Sequence, residues 1–247
     1  MFTRRTMPRS LRNQRGYFII DQYRSGDPYF SNVVLLCHCD ELIATGEILN
    51  FVKQFGRGET MAGSHVQIDT TIKLFGAGSH AVQGGNPRYA LSGSHADYAF
   101  GTGDFTIEFA TYTPTLAADI LFDMRPTSTQ GAYAALSTNT SGDLFYFLSN
   151  ATRITGSAVL ATNRWQRIAV SRKSGTTRMF VDGTQVGSNY TDSATYLQSR
   201  VVFGSSSFTL GSSPYDGYMD EFRITKGVGR YTSAYTVASS AFPNYGN

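Results

Sequence analysis

The chain has 247 residues, enough for one large all-β domain or two small ones with a substantial core. Glycine (25), tyrosine (15) and phenylalanine (17) are abundant and only 16% of residues are charged, which suits many short strands and turns better than helices. No stretch approaches the roughly 18 consecutive apolar residues of a membrane span, and Cys37 and Cys39, two apart in one apolar strand, do not read as the staples of a secreted disulfide module.

The net charge of +3 is unevenly spread. Residues 1–26 hold six Arg against one acid, a net +5, and leave 15 basic and 17 acidic residues, a net −2, for the rest. The basic character belongs to an arm, with Arg4, Arg5, Arg9, Arg12 and Arg15 as its candidate assembly contacts. Tyr17 to Ile20 is too short for a signal-peptide core, and Pro8 interrupts the amphipathic helix of a transit peptide. A basic arm suits a protein partner or phosphates, and the first is favoured.

Residues 32–40, NVVLLCHCD, read as a buried strand. Residues 41–63 combine partly helical spacing with framing glycines and read as an irregular insertion. Gly-Ser-His then recurs with His65, His80 and His95 at 15-residue intervals. A three-imidazole metal site is one reading, and strand–turn repetition in a Gly/Ser-rich chain is the favoured one. In residues 99–113, Phe105, Ile107, Phe109 and Thr111 alternate with Thr106, Glu108 and Ala110, so the first set faces a core. Further strands are predicted at 120–124, 132–136 and 144–148.

Residues 165–187, WQRIAVSRKSGTTRMFVDGTQVG, read as a three-strand meander. Ser174-Gly175 breaks the first run, and Asp182-Gly183 occupies a type I′ turn, whose two central residues both need φ > 0. Ile168, Val170, Met179 and Val181 form its buried face, with Arg178 and Phe180 opposite. Strands at 201–203, 208–210 and 217–225 precede a Tyr-rich tail. About a dozen short strands at this spacing argue for a sandwich.

Three stretches in register, FGTGDFTIEF (100–109), the meander, and LGSSPYDGYMDEFRITKGVGRY (210–231), resemble the laminin-G-like, or concanavalin A-like, domains. The resemblance covers roughly residues 30–243. It implies an all-β, two-sheet antiparallel jelly-roll sandwich spanning 27–247, preceded by the extended basic arm of 1–26. The last phrase is most similar to versions in bacteriophage structural proteins. That implies a virion location, as a head decoration or tail appendage, with other virion proteins, copies of itself (a trimer as working stoichiometry) and host glycans as partners. No nucleic-acid motif is present.

Family members also include hydrolases, which place two or three carboxylates on alternate positions of one strand. Here Glu108 stands alone and Asp220 and Glu221 are adjacent, which sends them to opposite faces. The expectation is a non-enzymatic protein, with a free carbohydrate-binding lectin as the alternative. Calcium is the one cofactor the resemblance suggests. Asp40 and Asp220 are the candidate ligands, since first and last strands pair in this fold, although backbone hydrogen bonds are the favoured role for an inward-facing Asp220. Tyr215 and Tyr218 are candidate glycan contacts. Tyr231 and Tyr235 fit a sugar groove, or packing against a sheet.

Overall fold

The computed structural model describes residues 26–42, 48–52, 57–62, 67–82 and 89–246. Sixteen strands run through them. They begin with β1 (Val33–Cys37), β2 (Ile48–Val52), β3 (Arg57–Met61), β4 (Gln67–Asp69), β5 (Ser79–Ala81) and β6 (Ala90–Leu91). There follow β7 (Phe105–Tyr112), β8 (Ile120–Asp123), β9 (Ala135–Thr138), β10 (Leu144–Leu148) and β11 (Ala151–Gly156). The chain ends with β12 (Trp165–Lys173), β13 (Thr176–Val181), β14 (Thr184–Thr191), β15 (Val202–Phe203) and β16 (Tyr218–Lys226).

One sheet has the order β14-β13-β12-β7-β16-β5-β4, with β1 also on β16, and the facing sheet has the order β11-β10-β9-β8-β15-β6. Every pairing between strands in the two sheets is antiparallel, and the sandwich is the one expected. The pairing of β1 with β16 brings the two ends of the domain together, Cys37 opposite Phe222. Among the described residues no helix is long and apolar enough to cross a membrane.

The core follows the alternation of β7. Phe105, Ile107 and Phe109 are buried in one cluster with Phe122, Leu136, Leu144 and Phe203 of the other sheet. Phe203 stacks nearly face to face on Phe222 at 3.8 Å, and Phe109 meets Phe203 edge-on at 5.6 Å, the second an arrangement that suits the ring quadrupoles. Ile168, Val170, Met179 and Val181 join the same cluster. Both turns of the meander are left-handed: Asp182 and Gly183 at φ of 50° and 76°, as their sequence requires, and Ser174 and Gly175 at 49° and 70°.

Four expectations are corrected. Within 41–63 the described segments β2 and β3 pair antiparallel, because a short alternating stretch can pair as a strand as readily as it can mimic helical spacing. Residues 208–210 are a turn, since the buried Asp123 carboxylate accepts the N–H groups of Ser207 (2.9 Å) and Phe208 (3.3 Å) and bends the chain around itself. Phe180, expected on an exposed face, is fully buried, because the C-terminal tail covers it.

The fourth concerns parity at the last strand. In β16, Asp220 stands opposite Ala110 and Arg223 opposite Glu108, so Glu221 and Phe222 together oppose the single Phe109. This is a β-bulge, with Glu221 at φ 53°. It restarts the alternation. Phe222 keeps its place in the core, while Asp220 joins Arg223 on the outer face of the eight-stranded sheet, where simple parity had turned it inward.

Candidate functional site

The outer face of the eight-stranded sheet carries a grid of polar residues set by register. Thr225, Thr106 and Ser171 form one row; Arg223, Glu108, Ala169 and Phe180 the next; Asp220, Ala110 and Arg167 the third. Glu108 and Arg223 meet at 2.9 Å, both nearly inaccessible to solvent. Desolvating such a pair is costly unless further partners complete it. Asp27 supplies one, accepting from Arg223 at 3.1 Å. Arg230 supplies another, donating to both oxygens of Asp27 at 2.9 and 2.7 Å. The Tyr231 hydroxyl donates to Glu108 at 2.8 Å. Burial raises the Asp27 carboxyl, but Arg230, the Tyr29 N–H and Arg223 outweigh it and hold the group below the usual carboxylate range.

The tail is laid across this grid by backbone bonds. The Thr106 hydroxyl donates to Val228 O and accepts from Arg230 N–H, and Ser171 Oγ accepts from Tyr231 N–H. Farther on, Tyr235 N–H donates to Gly183 O at 2.9 Å, and Phe242 N–H donates to Glu221 at 2.7 Å. Tyr231 and Tyr235 stack at 3.6 Å, and Phe242 lies 3.6 Å over the Arg223 guanidinium.

Between tail and sheet remains a cleft of about 270 Å³. Glu108 and Arg167 lie on its floor, Tyr235, Thr236 and Ala238 on the tail side, and Asp27 with Pro28 at the opposite edge. Arg167 is held by an N–H to Ala238 O at 3.0 Å and by the Phe75 ring at 4.7 Å. Burial lowers its pKa, against the attraction of Glu221, Asp220 and Asp182.

Asp40 and Asp220 do meet one element, but it is a stretch of backbone. Asp220 Oδ2 accepts from Leu74 (3.0 Å) and Phe75 (3.3 Å), and its Oδ1 from Glu221 N–H (2.8 Å). Asp40 Oδ1 accepts from Ala77 (2.6 Å) and Gly78 (3.4 Å). N–H donors aimed at these oxygens suit an anion and repel a cation, so the donor set does not fit calcium. Among the described residues no group of three or more His, Cys, Asp or Glu side chains converges to hold a metal.

Asp220 and Glu221 are both buried, and neither stands free: Glu221 Oε1 meets His38 Nδ1 at 2.7 Å, and His38 Nε2 meets Asn244. His80 lies buried in β5, His95 Nδ1 accepts from Asp97 N–H, and His65 lies outside the described residues.

The two tyrosines proposed as glycan contacts do not offer their faces to one. Tyr215 is fully buried with its hydroxyl among Thr111, Thr113 and the Tyr112 carbonyl, and Tyr218 packs edge-on against Tyr112 at 5.9 Å. Both placements come from the pairing of β16 and the segment before it with β7, which is not a local pattern. Arg4, Arg5, Arg9, Arg12 and Arg15 lie outside the described residues. Arg167 was missed, because an Arg on the exposed side of a meander strand is commonplace until a tail crosses it.

No curated protein matches the chain by sequence. Solved structures match at low identity and so speak to the fold alone. The binding domain of Paraclostridial Mosquitocidal Protein 1 is 14% identical, with a TM-score of 0.57, over 81% of this chain and 50% of that one. The chain thus spans about half that protein's length. The binding domain of Botulinum Neurotoxin DC in complex with SialylT is 13% identical over 81% and 49%, with a TM-score of 0.55. Domain 4 of AbnA, a GH43 extracellular arabinanase from Geobacillus stearothermophilus in complex with arabinotriose, is 16% identical over 79% of this chain and 94% of that one, with a TM-score of 0.54. The Laminin_G_3 family matches residues 83–228, more than half of the sequence. With the two facing sheets and the paired first and last strands, that match places the chain in the concanavalin A-like lectin/glucanases superfamily.

Proposed function

We propose that the chain is a non-enzymatic glycan-binding module displayed on a phage particle and attached there by residues 1–26. The observation that carries the binding reading is the cleft over the outer sheet face, a concave site in which aromatic and aliphatic groups alternate with charged side chains that are fixed by one another. A glycosidase needs one carboxyl that can give up a proton late and a second that is free to attack or to activate water. In this cleft Asp27 is held below the ordinary range, and Glu108 is bound by Arg223 and Tyr231. Both are committed to holding the tail, which supports binding without catalysis. The basic arm and the phrase at residues 210–231 support the particle location.

A glycan array run with the full chain, once with calcium and once with chelator, tests the binding reading. Sugar signal under both conditions is expected, and silence under both removes the reading. Deleting residues 1–26 is expected to leave a folded, sugar-binding domain that no longer docks on particles as a trimer. Docking by the truncated chain overturns the anchoring role. The arabinotriose and SialylT held by two of the similar structures favour a second reading, a free lectin, for which the full chain would stay in solution beside particles.

A further inference from the structure

We infer that the cleft selects a carboxylate-bearing sugar, with the Arg167 guanidinium as the group that pairs with the carboxylate. The inference rests on the reading of the cleft as the glycan site and adds a ligand class to it.

The argument is a charge inventory. The cleft is lined by three arginines, Arg167, Arg223 and Arg230, and by two acids, Asp27 and Glu108. Four of these five close on one another: Arg223 bridges Glu108 and Asp27, and Arg230 holds Asp27 through both oxygens. Arg167 is left over. The other carboxylates around it are engaged elsewhere. Asp182 accepts the backbone N–H of Arg167 at 2.8 Å and pairs with Arg164 at 3.2 Å. Asp220 is taken by three backbone N–H groups, and Glu221 by His38 and the Phe242 N–H. The guanidinium itself makes one hydrogen bond, to Ala238 O, and no ion pair among the described residues.

Arg167 is half-buried, and a guanidinium that has lost part of its water without a carboxylate in contact carries a modest desolvation cost, which a bound anion would offset. Its setting also matches a particular anion. The Phe75 ring 4.7 Å from the guanidinium carbon and the Ala238 carbonyl restrain the fork, so less freedom is lost on binding. A planar fork held in this way suits a planar carboxylate, which accepts two parallel N–H bonds. The cleft volume of about 270 Å³ lies just below the usual range for drug-sized ligands, which limits an occupant to a small group. Thr236, exposed on the tail side, offers the cleft a hydroxyl that can bond a sugar.

The test uses the full chain on arrayed oligosaccharides bearing uronic or sialic acids, each printed beside its carboxyl-reduced neutral counterpart, with sulfated sugars as a third set. The expected result is at least a tenfold preference for the carboxylate member. That preference should fall as salt rises from about 0.05 to 0.5 M. It should vanish in R167Q and survive in part in R167K, which keeps the charge without the fork. Equal binding of acid and reduced members overturns the inference and leaves the glycan reading standing, and so does a preference for sulfated sugars alone. Absence of any sugar signal removes both. The salt series on the wild-type chain decides the matter even if R167Q melts early.

Discussion

Glu108 shows how much a single residue's meaning depends on what crosses it. In sequence it is a lone acid on the far side of a core strand, a pattern that argues against a catalytic pair. In the structure it is one corner of a four-member ion network, with Arg223, Asp27 and Arg230, sealed by Tyr231. Removing one partner of a buried pair strands the other charge. R223A should therefore lower unfolding free energy by about 3 kcal/mol in urea titration; a loss below 1 kcal/mol would show the network to be dispensable. His38 and Asp220 predict a pH profile. Burial opposes charge on His38, but Glu221, by hydrogen bond and by charge, raises it to about 9. A folded pKa above the unfolded 6.5 stabilises fully below that value and is lost as pH rises through 9, a contribution of roughly 3 kcal/mol. Burial and the Glu221 charge raise Asp220 to about 7, against its backbone donors. The unfolded chain then loses this proton first, so stability falls between pH 4 and 7. Both slopes have the same sign. Unfolding free energy should decline from about pH 4 to 9, with H38Q flattening the upper part; a wild-type profile that is flat or rising between pH 6.5 and 9 would refute the assignment.

At the scale of elements, the meander was legible because its determinants are local. Period-2 alternation and two turns with left-handed pairs need nothing from elsewhere in the chain. The bulge in β16 was not legible, since an extra residue is defined only by the partner strand it fails to match. Gly183 joins the two cases. Its turn conformation is readable from Asp182-Gly183, but a Cβ there would also lie 2.0 Å from the Tyr235 carbonyl oxygen, which only the folded tail reveals. G183A should cost about 1–2 kcal/mol from the left-handed backbone, and it should loosen the tail as well. Chymotrypsin cleavage at Tyr231 or Tyr235 should accelerate while the sandwich persists; an unchanged cleavage rate would mean that the tail does not depend on this contact.

For the whole molecule, the decisive event is the return of residues 227–246 across the sheet. That path buries Phe180, completes the Glu108 network and leaves the cleft with its unmatched Arg167. A loop spanning residues 72–78 closes the other end by placing four N–H groups on Asp40 and Asp220. Because those carboxylates are engaged by donors, the melting temperature of the full chain should be the same with calcium and with chelator. A chelator-induced drop of several degrees would restore a metal at this site.

The amino-acid sequence by itself determined the class of fold, the core face of β7 and the meander with its turns, because side-chain alternation and left-handed turn residues act within a few positions. It also marked the arm as the basic part of the chain. Only the tertiary structure decided which face Asp220 takes, what Glu108 is bound to, that Tyr215 lies in the core, and that Arg167 stands in a cleft. Each of these depends on segments far apart in sequence being brought into register, where desolvation drives buried charges to pair and leaves Arg167 as the one charged group lining the cleft, among the described residues, without an ion pair.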